Sequence, residues 1–172
     1  MRERYSAILI MSSYVKRFEL SASVEEVYKA ITTEKSIKSW WTVDCDISTE
    51  IGGVHSFRFE RLLFNSMKIV NLVPNEKVHW TCVEGWNEWK GTDVVFILRS
   101  IGTRKTSLEF QHNGLTPSLS CYKMCSKGWD DTLLHLQQYV EHGQANAHVP
   151  KTGLKGVLSR SAFKVFSRKY TK

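Results

Sequence analysis

Pro117-Ser-Leu-Ser-Cys-Tyr-Lys-Met-Cys-Ser-Lys-Gly-Trp-Asp-Asp-Thr-Leu-Leu-His-Leu-Gln-Gln-Tyr-Val-Glu-His-Gly143 is the stretch that decides the fold. Within it Leu119, Tyr122, Cys125, Trp129, Leu133, Leu136 and Val140 recur every three or four residues, the period of one helical face. Pro117-Ser118 is a start signal and Gly143 a stop, which predicts a helix from about 118 to 142. At 1.5 Å per residue it would be roughly 35 Å long, enough to cross a whole sheet.

Upstream, the period falls from 3.6 to 2. Val78, Trp80 and Cys82 alternate with His79, Thr81 and Val83. His55, Phe57 and Phe59 alternate with Ser56, Arg58 and Glu60, which predicts that Arg58 and Glu60 face solvent. Segments 66–73, 93–100 and 106–111 read as further strands, divided by Pro74-Asn75-Glu76 and by Ile101-Gly102-Thr103. Residues 84–92, with Trp86 and Trp89, read as an exposed loop. Before these, Tyr14–Leu20 is a strand. Ser23 and Glu26 form a capping box for a helix carrying Val24, Val27, Tyr28 and Ile31 on one stripe, and a second short helical turn is expected over Ser36–Trp41. Strands grouped together with helices set apart imply α+β with an antiparallel sheet, not a doubly wound one. The last helix is the element long enough to cover that sheet.

The chain has 172 residues, 42% of them hydrophobic and 24% charged, which fits one globular domain and excludes fibrous or wholly disordered classes. The net charge of +7 is localised: residues 1–142 hold 17 basic and 17 acidic side chains, whereas 143–172 hold seven basic and no acidic ones. The expected organisation is an N-terminal extension over 1–13, a domain over 14–143 and a basic tail over 144–172. In the tail, Leu154, Val157, Leu158, Ala162 and Val165 fall loosely on one helical face, which suits contact with an anionic surface and equally suits docking on the body of the protein; a solubilising role alone is the plainer reading of the charge. No specific nucleic-acid partner is predicted. The run Ala7–Met11 is too short for a membrane span or a secretory core. Four cysteines without an export signal predict reduced thiols and a cytoplasmic setting.

Several strings, taken in order, resemble the helix-grip superfamily that includes START, Bet v 1 and polyketide cyclase domains. They are Ala22–Ala30, Lys38-Ser39-Trp40-Trp41, Gly52–Phe57, Pro74–Thr81, Phe110–Leu115 and Gly128–Leu136. Within that superfamily they look most like the family named after the C-terminal domain of the Hsp90 ATPase activator. The resemblance implies a curved antiparallel sheet of six to seven strands wrapped around a long C-terminal helix. It also implies a cavity between the two, often for a hydrophobic ligand. The same scaffold hosts carriers, cyclases and chaperone partners, so the fold alone does not choose among them.

Candidate ligand-binding residues are Trp40, Phe57, Phe59, Trp80, Phe96, Phe110, His112, Met124 and Trp129, because pockets are apolar with a few polar groups. Each aromatic can equally be core. His112 reads as a structural histidine that can still anchor a ligand's polar group, and with Tyr122 it is the candidate for cyclase-type chemistry. Cys121 and Cys125 lack the further ligands that zinc needs, so no metal is assigned. There is no Gly-x-Ser-x-Gly elbow, phosphate loop or dinucleotide fingerprint. The expectation is a binding domain for a small hydrophobic or aromatic molecule, with no cofactor and no classical catalytic machinery. A protein-interaction module and a cyclase-type enzyme are the alternatives.

Overall fold

The computed structural model describes residues 13–60, 63–85 and 88–150. The extension before Ser13, Trp86 and the amphipathic stretch of the basic tail lie outside them. The elements are β1 (Ser13–Leu20), α1 (Val24–Thr32), α2 (Glu34–Trp40), β2 (Asp44–Asp46), β3 (Val54–Glu60), β4 (Leu63–Val73), β5 (Lys77–Gly85), β6 (Asp93–Gly102), β7 (Lys105–Asn113) and α3 (Tyr122–His142). The strands form one antiparallel sheet in the order β1-β7-β6-β5-β4-β3-β2. This is the α+β helix-grip architecture that the resemblance implied.

Local chemistry explains the element ends. Ser23 Oγ accepts from the Glu26 amide at 3.2 Å while the Glu26 carboxylate accepts from the Ser23 amide at 2.8 Å, closing the capping box of α1. Gly143 ends α3 in the left-handed conformation at φ 69°, a cap that glycine adopts without Cβ strain. The start of α3 is secured from outside the helix. Glu88 accepts from the amides of Ser120 (2.9 Å) and Cys121 (3.0 Å) and from the Ser120 hydroxyl (2.9 Å), placing a carboxylate at the positive helix end.

Side-chain alternation gives the sheet one buried face. In β7, Thr106, Leu108, Phe110 and His112 are buried, and Leu108 and Phe110 lie opposite Leu98 and Phe96 of β6. α3 lays Cys125, Trp129, Leu133 and Leu136 against that face and runs unbroken through Trp129. The register shifts between Arg58 and Glu60, and twice along the β4–β5 pair. Such irregularities bend strands, and here they all fall at the β3–β5 end of the sheet.

Two surface expectations are corrected. Arg58 is 8% exposed rather than solvated: its Nε donates to Asp44 Oδ1 at 2.9 Å and its Nη2 to Asp46 Oδ2 at 2.7 Å. The three residues face one another across β2 and β3, so the charge is held by two carboxylates. The 84–92 loop is also not uniformly exposed, because Trp89 is buried.

A candidate ligand cleft under the long helix

A cleft of about 350 Å³, open to solvent, lies between α3 and the β3–β4 end of the sheet. Met124, Cys125, Gly128, Trp129, Asp131, Thr132 and His135 form its helical wall. Gly128 leaves that wall low, since a Cβ there would meet nothing within 4 Å. Phe59 and Asn65 come from the sheet, Trp41 from just after α2, Trp89 from the β5–β6 loop, and Asn146 and His148 from the chain after α3. The volume lies in the range of small-molecule sites, and the walls are predominantly apolar, with Trp41, Phe59, Trp89 and Trp129 as their aromatic part.

Trp129 organises the cleft. Its ring lies 5.2 Å from Trp41, 4.5 Å from Phe110 and 5.8 Å from Trp89 between centroids, the last nearly parallel. Trp41 is itself stacked between Trp40 at 5.8 Å and Trp80 at 6.1 Å. Trp89 is fixed by its indole N–H, which donates to Cys125 Sγ at 3.1 Å.

Beneath the aromatics runs a hydrogen-bond chain that fixes His112. Trp129 Nε1–H donates to His112 Nδ1 at 2.9 Å, so the ring proton sits on Nε2 and is donated to Thr92 Oγ1 at 2.8 Å. Thr92 Oγ1 donates in turn to the Trp89 carbonyl at 2.6 Å. Burial pushes the pKa of His112 down to about 4. Both nitrogens are engaged and the ring is neutral. His112 therefore holds Trp89 and Trp129 in place and offers no free nitrogen to the cleft.

The cleft is bordered by a strap that the charge pattern had assigned to the tail. Ala147 N–H donates to the Ser39 carbonyl (3.0 Å), His148 N–H to the Trp41 carbonyl (2.9 Å) and Val43 N–H to the His148 carbonyl (3.0 Å). His148 Nε2–H donates to the Phe59 carbonyl at 2.7 Å, and Asn146 Nδ2 to Gln138 Oε1 at 2.7 Å.

Of the candidate residues, the structure brings Phe59, Met124 and Trp129 to the cleft. Met124 is 54% exposed at its mouth. Trp40, Phe57, Trp80, Phe96, Phe110 and His112 are fully buried in the layer beneath. Trp40 Nε1 donates to the Ala30 carbonyl at 2.8 Å, which turns it away from the cleft and leaves Trp41 as the wall. Sequence reasoning missed Trp41, Asn65, His135 and the strap. Trp89 stood out in the sequence only as a tryptophan of an exposed loop.

Burial raises the Cys45 and Cys82 thiols to about 11 and Cys121 to about 12, so these three stay protonated near neutrality. All four cysteines are unpaired thiols. Asp130 and Asp131 diverge: Asp130 accepts from Tyr14 at 2.6 Å on the β1 side, and Asp131 faces the cleft, paired with Lys127 at 3.1 Å. Among the described residues no group of three His, Cys, Asp or Glu side chains is placed to hold a metal, and no helix is long and apolar enough to cross a membrane.

Comparison with known proteins agrees with this architecture. The model of a family described as activator of Hsp90 ATPase homolog 1-like protein matches residues 21–141. The solution structure of the Aha1 dimer from Colwellia psychrerythraea is 28% identical, covers 78% of this chain and 100% of its own, and superimposes with a TM-score of 0.70. A crystal structure from Mesorhizobium loti is 19% identical, covers 74% of this chain and 95% of its own, with a TM-score of 0.64. One from Micromonospora echinospora is 18% identical, covers 92% and 88%, with a TM-score of 0.63. These last two share the fold. Comparison with curated proteins gives no match.

Proposed function

From the premise that the chain belongs to the activator of Hsp90 ATPase homolog 1-like family, we propose that it binds a small hydrophobic or aromatic molecule between the sheet and α3. One observation carries the reading: a 350 Å³ cleft walled by Trp41, Phe59, Trp89 and Trp129. An apolar guest would cover aromatic surface there, at about 25 cal/mol for each Å² removed from water.

Native mass spectrometry of freshly isolated full-length protein tests this. The expected result is a bound small molecule, or capture of an added aromatic probe such as 2-naphthol with one-to-one stoichiometry. Truncation after Gly143 removes the strap and is expected to weaken that capture, whereas truncation after Pro150 leaves it unchanged. Protein that stays empty under all these conditions refutes the reading.

A second reading, a protein-interaction module, draws on the family itself, whose description names the Hsp90 ATPase. Empty protein that nevertheless raises the ATPase rate of an added Hsp90 chaperone would favour it. Contact of the basic tail with anionic surfaces is a separate proposal. It requires that low-salt retention on heparin or anionic vesicles be lost on truncation after Pro150.

A further inference from the structure

The cleft contains one polar side chain whose carbonyl is both buried and unanswered. Asn65 stands on β4 directly across from Phe57 on β3 and from Gly85 on β5, so its side chain shares the concave face with Phe57. It lines the cleft and is 5% exposed. Its Oδ1 has no hydrogen-bond partner among the described residues. A buried amide oxygen in that state has lost its hydration and gained nothing in return.

The niche around it is made by glycine. A Cβ on Gly85 would lie 2.6 Å from Asn65 Oδ1 and 2.7 Å from the Phe64 carbonyl oxygen, so any larger residue there would expel the amide. Two oxygens converge on that point. A half-turn of the amide about its Cβ–Cγ bond would exchange Oδ1 and the NH2 group and carry Oδ1 to the other side. The two ends of the amide are similar in size, so the exchange is sterically neutral. Three other polar groups lining the cleft are engaged, Asp131 with Lys127, Asn146 with Gln138 and His148 with the Phe59 carbonyl, while Thr132 and His135 stand on the helical wall.

We infer that Asn65 is the specificity-determining polar group of the cleft, and that the ligand is a flat aromatic molecule carrying a hydroxyl or N–H donor for the Asn65 carbonyl. This rests on the proposed ligand-binding function. The aromatic walls accept any flat apolar guest of suitable size, and the buried acceptor selects the one that brings a donor, because a guest without it leaves Oδ1 desolvated and unpaired.

Calorimetric titration of the full chain with 2-naphthol and with 2-methoxynaphthalene tests the inference, since the two differ in the donor. The ether is the more apolar, so hydrophobicity alone would favour it. Wild-type protein is expected to prefer 2-naphthol about fivefold to tenfold, the size of one buried hydrogen bond. Asn65→Leu is expected to bring the two affinities within about twofold, chiefly by weakening 2-naphthol. Asn65→Ala is measured alongside, so that a misfolded leucine variant does not decide the matter. A wild-type protein that fails to prefer 2-naphthol, or a preference that survives both substitutions, overturns the role of Asn65 while leaving the cleft as a binding site. A wild-type protein that binds neither probe overturns the binding function and this inference with it.

Discussion

Trp129→Ala is expected to be the most damaging single substitution in the cleft. Truncating a core tryptophan costs about 3–5 kcal/mol. Trp129 is 2% exposed and touches Trp41, Trp89, Phe110 and His112. Its removal also strips His112 Nδ1 of its donor, leaving a buried acceptor unpaired at a further cost of about 1–3 kcal/mol. Against a typical total stability of about 5–15 kcal/mol, the sum approaches unfolding. Trp129→Phe separates the two contributions. It keeps an aromatic ring against Trp41 and Phe110 but loses the indole N–H, so it should show mainly the smaller loss. Urea unfolding followed by circular dichroism measures both. An alanine variant less than about 2 kcal/mol below wild type would mean that Trp129 does not pack as described.

The second large effect is with pH. His55 and His112 are buried, and burial holds both near a pKa of about 4 against an ordinary 6.5. Protonation would also disrupt the acceptor role of His55 Nδ1 toward the Ser48 amide (3.2 Å) and of His112 Nδ1 toward Trp129 (2.9 Å). The folded pKa is depressed, so between pH 6.5 and 4 the unfolded chain binds more protons and stability falls with pH. The contribution is fully present above 6.5 and is progressively lost down to about 4. From pH 7 to pH 5 each histidine is expected to remove about 2 kcal/mol, and the pair about 4 kcal/mol. Lowered carboxylate pKa values at Glu26, Glu88, Glu109 and Asp130 add their loss only at more acidic pH. Urea midpoints across that range test the sign, and histidine ring resonances that do not titrate above pH 5 test the assignment. Stability that is flat from pH 7 to 5 would contradict the buried, neutral state of both rings.

The sequence carried the fold well because periodicity reports which face of an element is buried. The α3 stripe at Cys125, Trp129, Leu133 and Leu136 and the β5 alternation at Val78, Trp80 and Cys82 appear in the structure as read. Periodicity does not report depth. Phe57, Trp80, Phe96 and Phe110 share a face with Phe59, yet only Phe59 reaches the cleft, because that depends on the curvature of the sheet beneath α3. Trp40 and Trp41 illustrate a further limit. The former ends α2 and points into the core, whereas the latter is the C-cap residue, outside the helical period, and its ring forms the wall. The strap was illegible for another reason. Residues 144–150 dock largely through backbone hydrogen bonds, which leave no pattern in the side chains. Asn65 carries no such mark in the sequence, because its neighbours across the sheet, Phe57 and Gly85, follow from the strand register alone.

The central claim is that a ligand enters between α3 and the β3–β4 end of the sheet, against three particular tryptophans. The indole N–H resonances of the six tryptophans, followed by NMR during titration with 2-naphthol, test it most directly. The account predicts that the resonances of Trp41, Trp89 and Trp129 move together and saturate, while that of Trp40, bound to the Ala30 carbonyl, stays in place. Saturable shifts confined to other tryptophans, or no shift at any of the three, would contradict it.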